Sequence, residues 1–267
     1  MKQKIGFIGG GNMGSAMMTG LVKTGVCAPE QVIVFDVYEP TLERLQKELG
    51  IQTTNQVKSL IQEADMIVLA VKPQVLPSVL EKHGSAITTD QVVISIAAGI
   101  TLDRLTGLLS DQHKLVRVMP NTPAMVGEGM AGICTNANVT EEERAEVLEI
   151  FNCFGKAELI PEKLIDAVVG VSGSSPAYVY MFIEALADGA VREGMPRAQA
   201  YKFAAQAVLG SAKMVLESGK HPGELKDMVC SPAGTTIEAV YALEKSQMRA
   251  AVMEAVHIAA EKNRTME

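Results

Sequence analysis

Lys4-Ile5-Gly6-Phe7-Ile8-Gly9-Gly10-Gly11-Asn12-Met13-Gly14 is the stretch that decides the fold. Lys4 to Ile8 reads as a short buried strand, the glycines as a tight turn, and the residues from Asn12 on, with Met17, Leu21 and Val22 at helical spacing, as a helix. A GxGxxG pattern alone is weak evidence. Here it follows a strand, opens a helix and is succeeded by a second apolar strand, Val32 to Phe35, that ends in Asp36 at about the spacing of a ribose-binding acid. In that context Gly9 allows the tight turn, Gly11 lets the backbone approach a pyrophosphate, and Gly14 lets the helix pack on the strand. Asn12 and Met13 open the helix whose N-terminus faces the phosphates. Asp36 is expected to accept hydrogen bonds from the adenosine ribose hydroxyls and to repel the extra phosphate of NADPH, which favours NADH. The competing reading is a solvated turn aspartate in Asp36-Val37-Tyr38-Glu39-Pro40.

The same alternation continues outward, with strands at Met66–Val71, Val92–Ile96 and Leu115–Val118 separated by segments of helix length. This predicts an α/β fold with a parallel, doubly wound sheet. A strand at Gly132–Thr135, a helix at Thr140–Phe151 and a strand near Ala157–Ile160 complete this half. Open α/β sheets bind ligands at the carboxyl ends of their strands. The loops leaving those ends therefore supply Val71, Lys72 and Pro73, then Ala97 and Ala98, then Asn121 as further cofactor-binding candidates. After about residue 162 the strand signals stop. Helices are predicted at Ser175–Arg192 and Pro196–Leu216, after Pro222, from Thr235, and at the end near Lys262. The expected division is residues 1–162 for the dinucleotide and 163–267 as an all-helical domain for substrate and dimerisation.

Composition excludes several classes of function. The formal charge is -7, from 24 basic and 31 acidic side chains with no basic block, so a nucleic-acid partner is not expected. The apolar runs are too short to span a bilayer, and Gly9 to Asn12 interrupt the stretch after Lys2 and Lys4 before a secretory segment forms. Cys27, Cys134, Cys153 and Cys230 are scattered, as are His83, His113, His221 and His257, so neither a metal site nor a disulfide framework is expected. A reducing cytoplasm and a small-molecule substrate fit this composition best.

A second segment carries chemistry: Cys230-Ser231-Pro232-Ala233-Gly234-Thr235-Thr236-Ile237-Glu238, a small-residue turn running into an apolar-periodic helix. Thr235 and Glu238 stand at capping-box spacing, and the first N–H groups of that helix, with those of the Gly234 turn, are placed to hold a carboxylate. A well-capped ordinary helix is the plainer alternative.

These residues resemble the pyrroline-5-carboxylate reductase family over nearly the whole chain. The resemblance rests on Ile8-Gly9-Gly10-Gly11-Asn12-Met13, Ala70-Val71-Lys72-Pro73-Gln74 and Arg117-Val118-Met119-Pro120-Asn121-Thr122-Pro123. It continues through Gly173-Ser174-Ser175-Pro176-Ala177-Tyr178 and is most specific between Pro222 and Glu244. It implies NADH or NADPH as cofactor, a Rossmann domain followed by a helical domain that dimerises, and in some members a larger ring of dimers. It also implies that Ser231, Gly234, Thr235 and Thr236 hold the substrate carboxylate, that the Thr236 hydroxyl meets the ring nitrogen as the catalytic contact, and that Glu162 lies near the proline site. The chain departs from the family pattern at three places: Ala233 stands where the family usually has glycine, Met228 where some members have asparagine, and Asp36-Val37-Tyr38 where many members carry a Ser/Asn/Arg set for the NADPH phosphate.

The missing acid is informative. A ketone reductase supplies a proton to the forming alkoxide, whereas a cyclic imine arrives already protonated and needs alignment and a carboxylate anchor. A β-hydroxyacid dehydrogenase would carry a lysine, with an asparagine four residues on, along the helix that begins Pro176-Ala177-Tyr178-Val179-Tyr180; neither is present. A dinucleotide sensor without activity would have no use for the second, anion-binding segment.

Overall fold

The computed structural model describes residues 3–265; residues 1–2, with Lys2 among them, and 266–267 lie outside them. The chain divides into two compact units, one of residues 3–173 with 259–265, the other Ser174–Ile258.

The first unit is built on one eight-stranded sheet. Its strands are β1 (Ile5–Ile8), β2 (Val32–Phe35), β3 (Gln52–Thr54), β4 (Met66–Leu69), β5 (Val92–Ser95), β6 (Lys114–Met119), β7 (Gly129–Thr135) and β8 (Gly155–Leu159), in the order β3-β2-β1-β4-β5-β6-β7-β8. The first six are parallel, as the alternation of strand and helix predicts. Their connecting helices are α1 (Asn12–Lys23), α2 (Glu39–Leu49), α3 (Val57–Glu63), α4 (Leu76–His83) and α5 (Leu102–Leu108). Two hydrophobic layers cover the two faces: Ile5, Phe7, Val32, Val34, Met66 and Val68 pack with α1 and α2, while Ile8, Ile33, Ile67 and Leu69 pack with α3 and α4. The strand period of two thus divides adjacent residues between layers.

Two features differ from the sequence-based expectation. Strand β3 was not among the predicted strands; its residues Gln-Thr-Thr are polar and half-buried at the sheet edge, so no apolar run marks it. Strand β7 runs antiparallel to β6. The chain between them is a short turn with a 3-10 segment at Thr122–Val126, and a parallel pairing would need a long crossover. Helix α6 (Glu141–Asn152) is such a crossover, and β8 returns parallel to β7. Past residue 162 the unit continues through α7 (Ile165–Val168) and a π-helical turn at Val169–Gly173, because Ile165 and Val169 are buried in the second layer.

The second unit holds α8 (Ser175–Arg192), α9 (Arg197–Ser218), α10 (Pro222–Val229), α11 (Thr235–Lys245) and most of α12 (Met248–Arg264). The predicted bounds of α8 match. Its core among the described residues is small, made of Ala187, Ala200 and Ala204 with Ile183, Ala190, Val191 and Met195 against them. Large apolar side chains stay exposed along every helix, including Phe203 at 67%, Leu216 at 82% and Met253 at 73%. The last turn of α12 belongs to the first unit, where buried Asn263 donates to Asp166 at 2.8 Å and Arg264 donates to the other oxygen at 3.1 Å. No helix among the described residues is long and apolar enough to cross a membrane.

Candidate active site

The glycine turn has the geometry that a dinucleotide needs. Gly9 sits at φ +112°, where a Cβ would also stand 2.5 Å from the Ala70 carbonyl oxygen. A side chain at Gly14 would stand 2.5 Å from the Gly9 oxygen, so close packing of α1 on β1 fixes the third glycine. Gly11 differs: a Cβ there meets nothing within 4 Å, and Gly11 is the N-cap of α1 with no side-chain cap. The helix N-terminus, with exposed Asn12 and half-buried Met13 as its first residues, therefore faces open space with uncapped N–H groups. A pyrophosphate fits there.

The other cofactor candidates occupy the same edge of the parallel sheet. Asp36 follows β2, and its carboxylate accepts from Gly10 N–H at 2.7 Å and from Tyr38 N–H at 2.9 Å. Both bonds hold it beside the glycine turn, and each oxygen keeps a further lone pair for a ligand hydroxyl. Val71, just past the end of β4, lies against Gly9; Lys72 is exposed and Pro73 half-buried. Ala97 is buried in the core, so only its backbone can face a ligand, whereas Ala98 is half-buried. The Asn121 side chain donates to Ser172 carbonyl oxygen at 3.0 Å and accepts from Met130 N–H at 2.8 Å, which ties the loop after β6 to the π-helical turn and β7.

Glu162 stands with groups that the sequence could not place. Its Oε1 accepts from Arg117 at 2.9 Å and from the N–H of Leu102, the first residue of α5, at 2.8 Å. Arg117 lies on β6 with 4% exposure. An arginine inside the apolar run Lys114–Met119 is the sequence signal for such a buried pair, although the motif that Arg117 heads gives it no role. Burial pushes the neighbouring Cys134 thiol up to about 12, with Glu162 adding to the rise and Arg117 opposing it. That thiol stays protonated and is no nucleophile.

In the second unit the anion segment folds differently at one point from the expected capping box. Gly234, in extended conformation at φ −83° and ψ 169°, is the N-cap of α11, and Thr235 is its first helical residue. No side chain caps the helix. The Thr235–Glu238 box fails because Thr235 is already inside the helix, one position too late to bond the third N–H. The correction leaves the first N–H groups of α11 without a side-chain acceptor, beside exposed Ser231 and half-buried Thr236. Gly234 donates its own N–H to the Ser231 oxygen at 3.0 Å, and a Cβ on it would stand 2.3 Å from Ser231 Oγ. Ala233, where the family has glycine, adopts φ +55°, a left-handed conformation costing on the order of 1 kcal/mol for a residue with a Cβ. The structure thus places Gly9, Gly11, Asn12, Met13, Gly14, Asp36, Val71, Lys72, Pro73, Ala97, Ala98 and Asn121 in the segments that follow the carboxyl ends of the parallel strands. It gathers Ser231, Gly234, Thr235 and Thr236 at one helix start.

A glycine turn before an uncapped helix, an acid after β2 and an eight-stranded sheet define a dinucleotide-dependent oxidoreductase. Residues 4–99 match the family model described as NADP oxidoreductase coenzyme F420-dependent, and residues 162–266 that of pyrroline-5-carboxylate reductase dimerisation. The pyrroline-5-carboxylate reductase of Escherichia coli is 56% identical over 98% of both chains. A solved pyrroline-5-carboxylate reductase of Coxiella burnetii superposes with TM-score 0.95 at 31% identity, covering 100% of this chain and 99% of that one. The Plasmodium falciparum pyrroline carboxylate reductase with NADP bound superposes with TM-score 0.89 at 35% identity, covering 99% and 98%. The chain belongs to the pyrroline-5-carboxylate reductase family.

Proposed function

We propose that the chain reduces 1-pyrroline-5-carboxylate to L-proline, the final step of proline biosynthesis, with NADH or NADPH. The observation that carries this reading is the uncapped start of α11 next to Ser231, a carboxylate site in the same chain as the glycine turn. When bound, the dinucleotide supplies a hydride to the imine carbon. The chain's own work is placement. The uncapped α1 N-terminus and Asp36 hold the pyrophosphate and ribose. The backbone N–H groups of Thr235 and Thr236, with the Ser231 hydroxyl, hold the substrate carboxylate. Gly234 keeps the turn clear of a side chain. The Thr236 hydroxyl orients the ring nitrogen, which arrives protonated and leaves as an amine, so no side-chain acid is needed.

NADH is expected to serve at least as well as NADPH, because the Asp36 carboxylate disfavours a phosphate beside it. Replacing Asp36 with serine should move the ratio of kcat/KM values toward NADPH, while also weakening the hold on Gly10 N–H. A wild-type preference for NADPH above about tenfold, ~1.4 kcal/mol, would remove Asp36 from the ribose.

The helical unit leaves more apolar surface uncovered than its three-alanine core can explain, which supports a homodimer through that unit. Association of dimers into a larger ring is a further step of the same reading. Sedimentation at micromolar concentration should show a dimer or a multiple of it; a fully active monomer would contradict the assembly. Four cysteines without a disulfide fit a reducing cytoplasm.

A further inference from the structure

We propose that Arg44 and Ser15 are positioning residues that aim the Gly11 N–H of the phosphate-binding turn. The inference rests on the reading of that turn as the dinucleotide site. A run of hydrogen bonds crosses from α2 to the turn. Arg44 donates through one guanidinium nitrogen to Ser15 Oγ at 2.9 Å, and Ser15 Oγ donates to the Gly10 carbonyl oxygen at 2.8 Å. The other guanidinium nitrogen is held by Glu48 at 3.0 Å. On the far side of the same residue, Gly10 N–H donates to Asp36.

The consequence follows from the peptide plane. In a trans peptide the carbonyl of one residue and the N–H of the next point in opposite directions. Holding the Gly10 oxygen toward Ser15 therefore turns the Gly11 N–H the other way. Three successive glycines give this segment unusual backbone freedom, and without an external hold the Gly10–Gly11 plane is free to rotate. The Ser15 hydroxyl has one proton, which goes to Gly10, and the Arg44 donation to its lone pair holds Oγ in place and polarises the O–H toward that carbonyl. Arg44 is thus positioned to act through Ser15 on the turn without touching the nicotinamide end. Its side chain is 47% exposed, so its removal leaves no buried hole.

NADH and NADPH share the pyrophosphate, and the two cofactors should respond alike. For Ser15→Ala and Arg44→Gln we expect the KM of both, and the Kd of both measured by dinucleotide fluorescence on the whole enzyme, to rise about five- to tenfold. The kcat at saturation and the melting temperature should stay at wild-type values, and Arg44→Lys should recover part of the affinity. The double variant should be no worse than Ser15→Ala alone, since both sever one chain of bonds. Unchanged affinity, additive losses, or a rise confined to NADPH, which would mean a direct contact with its extra phosphate, each overturn the proposal. Gly11→Val separates it from the reading beneath: if that variant still binds both cofactors as wild type does, the turn is not the dinucleotide site and the proposal falls with it. If Gly11→Val abolishes binding while Ser15→Ala has no effect, the proposal alone falls.

Discussion

Replacing Glu162 with alanine is expected to destabilise the first unit by about 2–3 kcal/mol, and to do so more than it weakens substrate binding. The loss has two parts. Arg117 is almost fully buried, and removing its carboxylate partner strands a guanidinium charge away from water. Breaking a buried pair in this way costs about 3–5 kcal/mol. Glu162 is itself partly exposed, with 31% side-chain accessibility, and Arg117 has a further interaction, so the lower part of that range and somewhat below it applies. The Leu102 N–H at the start of α5 also loses its acceptor. For a unit of this size each kcal/mol lowers the melting temperature by roughly 2–4 °C. Glu162→Gln, which keeps an acceptor oxygen but no charge, should fall between alanine and wild type. The resemblance assigns Glu162 to the neighbourhood of the proline site. Thermal unfolding and KM for the imine, measured on the same variants, separate the two roles. Wild-type stability with a raised KM would show that the carboxylate serves the substrate and not Arg117.

Thr236→Ala should lower kcat/KM about tenfold to a hundredfold while dinucleotide affinity hardly changes. Thr236 lies in the first turn of α11, directly after the Gly234 cap, where the uncapped N–H groups emerge. The hydroxyl is assigned the task of orienting the ring nitrogen. A neutral hydrogen bond is worth on the order of 1 kcal/mol, and about 2–3 kcal/mol if it strengthens as the iminium becomes an amine. Since the hydroxyl orients and supplies no proton, Thr236→Ser should retain most activity. Unchanged turnover in the alanine variant would return this segment to an ordinary helix start.

The parts of this fold that the sequence reveals are those with local causes. The glycine turn, the five long parallel strands and the limits of α8 each follow from residues within one short window. The polar edge strand β3 has no such cause, since its place is set by pairing to β2 and not by its own pattern. The direction of β7 is legible only once the β6–β7 connection is known to lack a crossover helix. At α11 the spacing of Thr235 and Glu238 suggests a cap, yet the backbone begins the helix one residue earlier than that spacing requires, and glycine takes the cap. The change is compatible with the proposed anion site, because a cap without a side chain leaves more N–H groups open. Arg117 and Glu162, like Arg44 and Ser15, lie far apart in sequence, so the apolar run around Arg117 signals a buried charge but no pattern along the chain names either partner. Asp36 is intermediate: its position after β2 is legible, but its two bonds to backbone N–H groups emerge only from the folded turn.

The most direct test of the central claim is to mix the purified full-length chain with pyrroline-5-carboxylate and follow oxidation of NADH and NADPH together with the appearance of proline. Imine-dependent oxidation, with one proline formed per dinucleotide oxidised and NADH used at least as well as NADPH, is the expected result. Dinucleotide binding without turnover, or turnover only with a hydroxyacid or ketone, would contradict it.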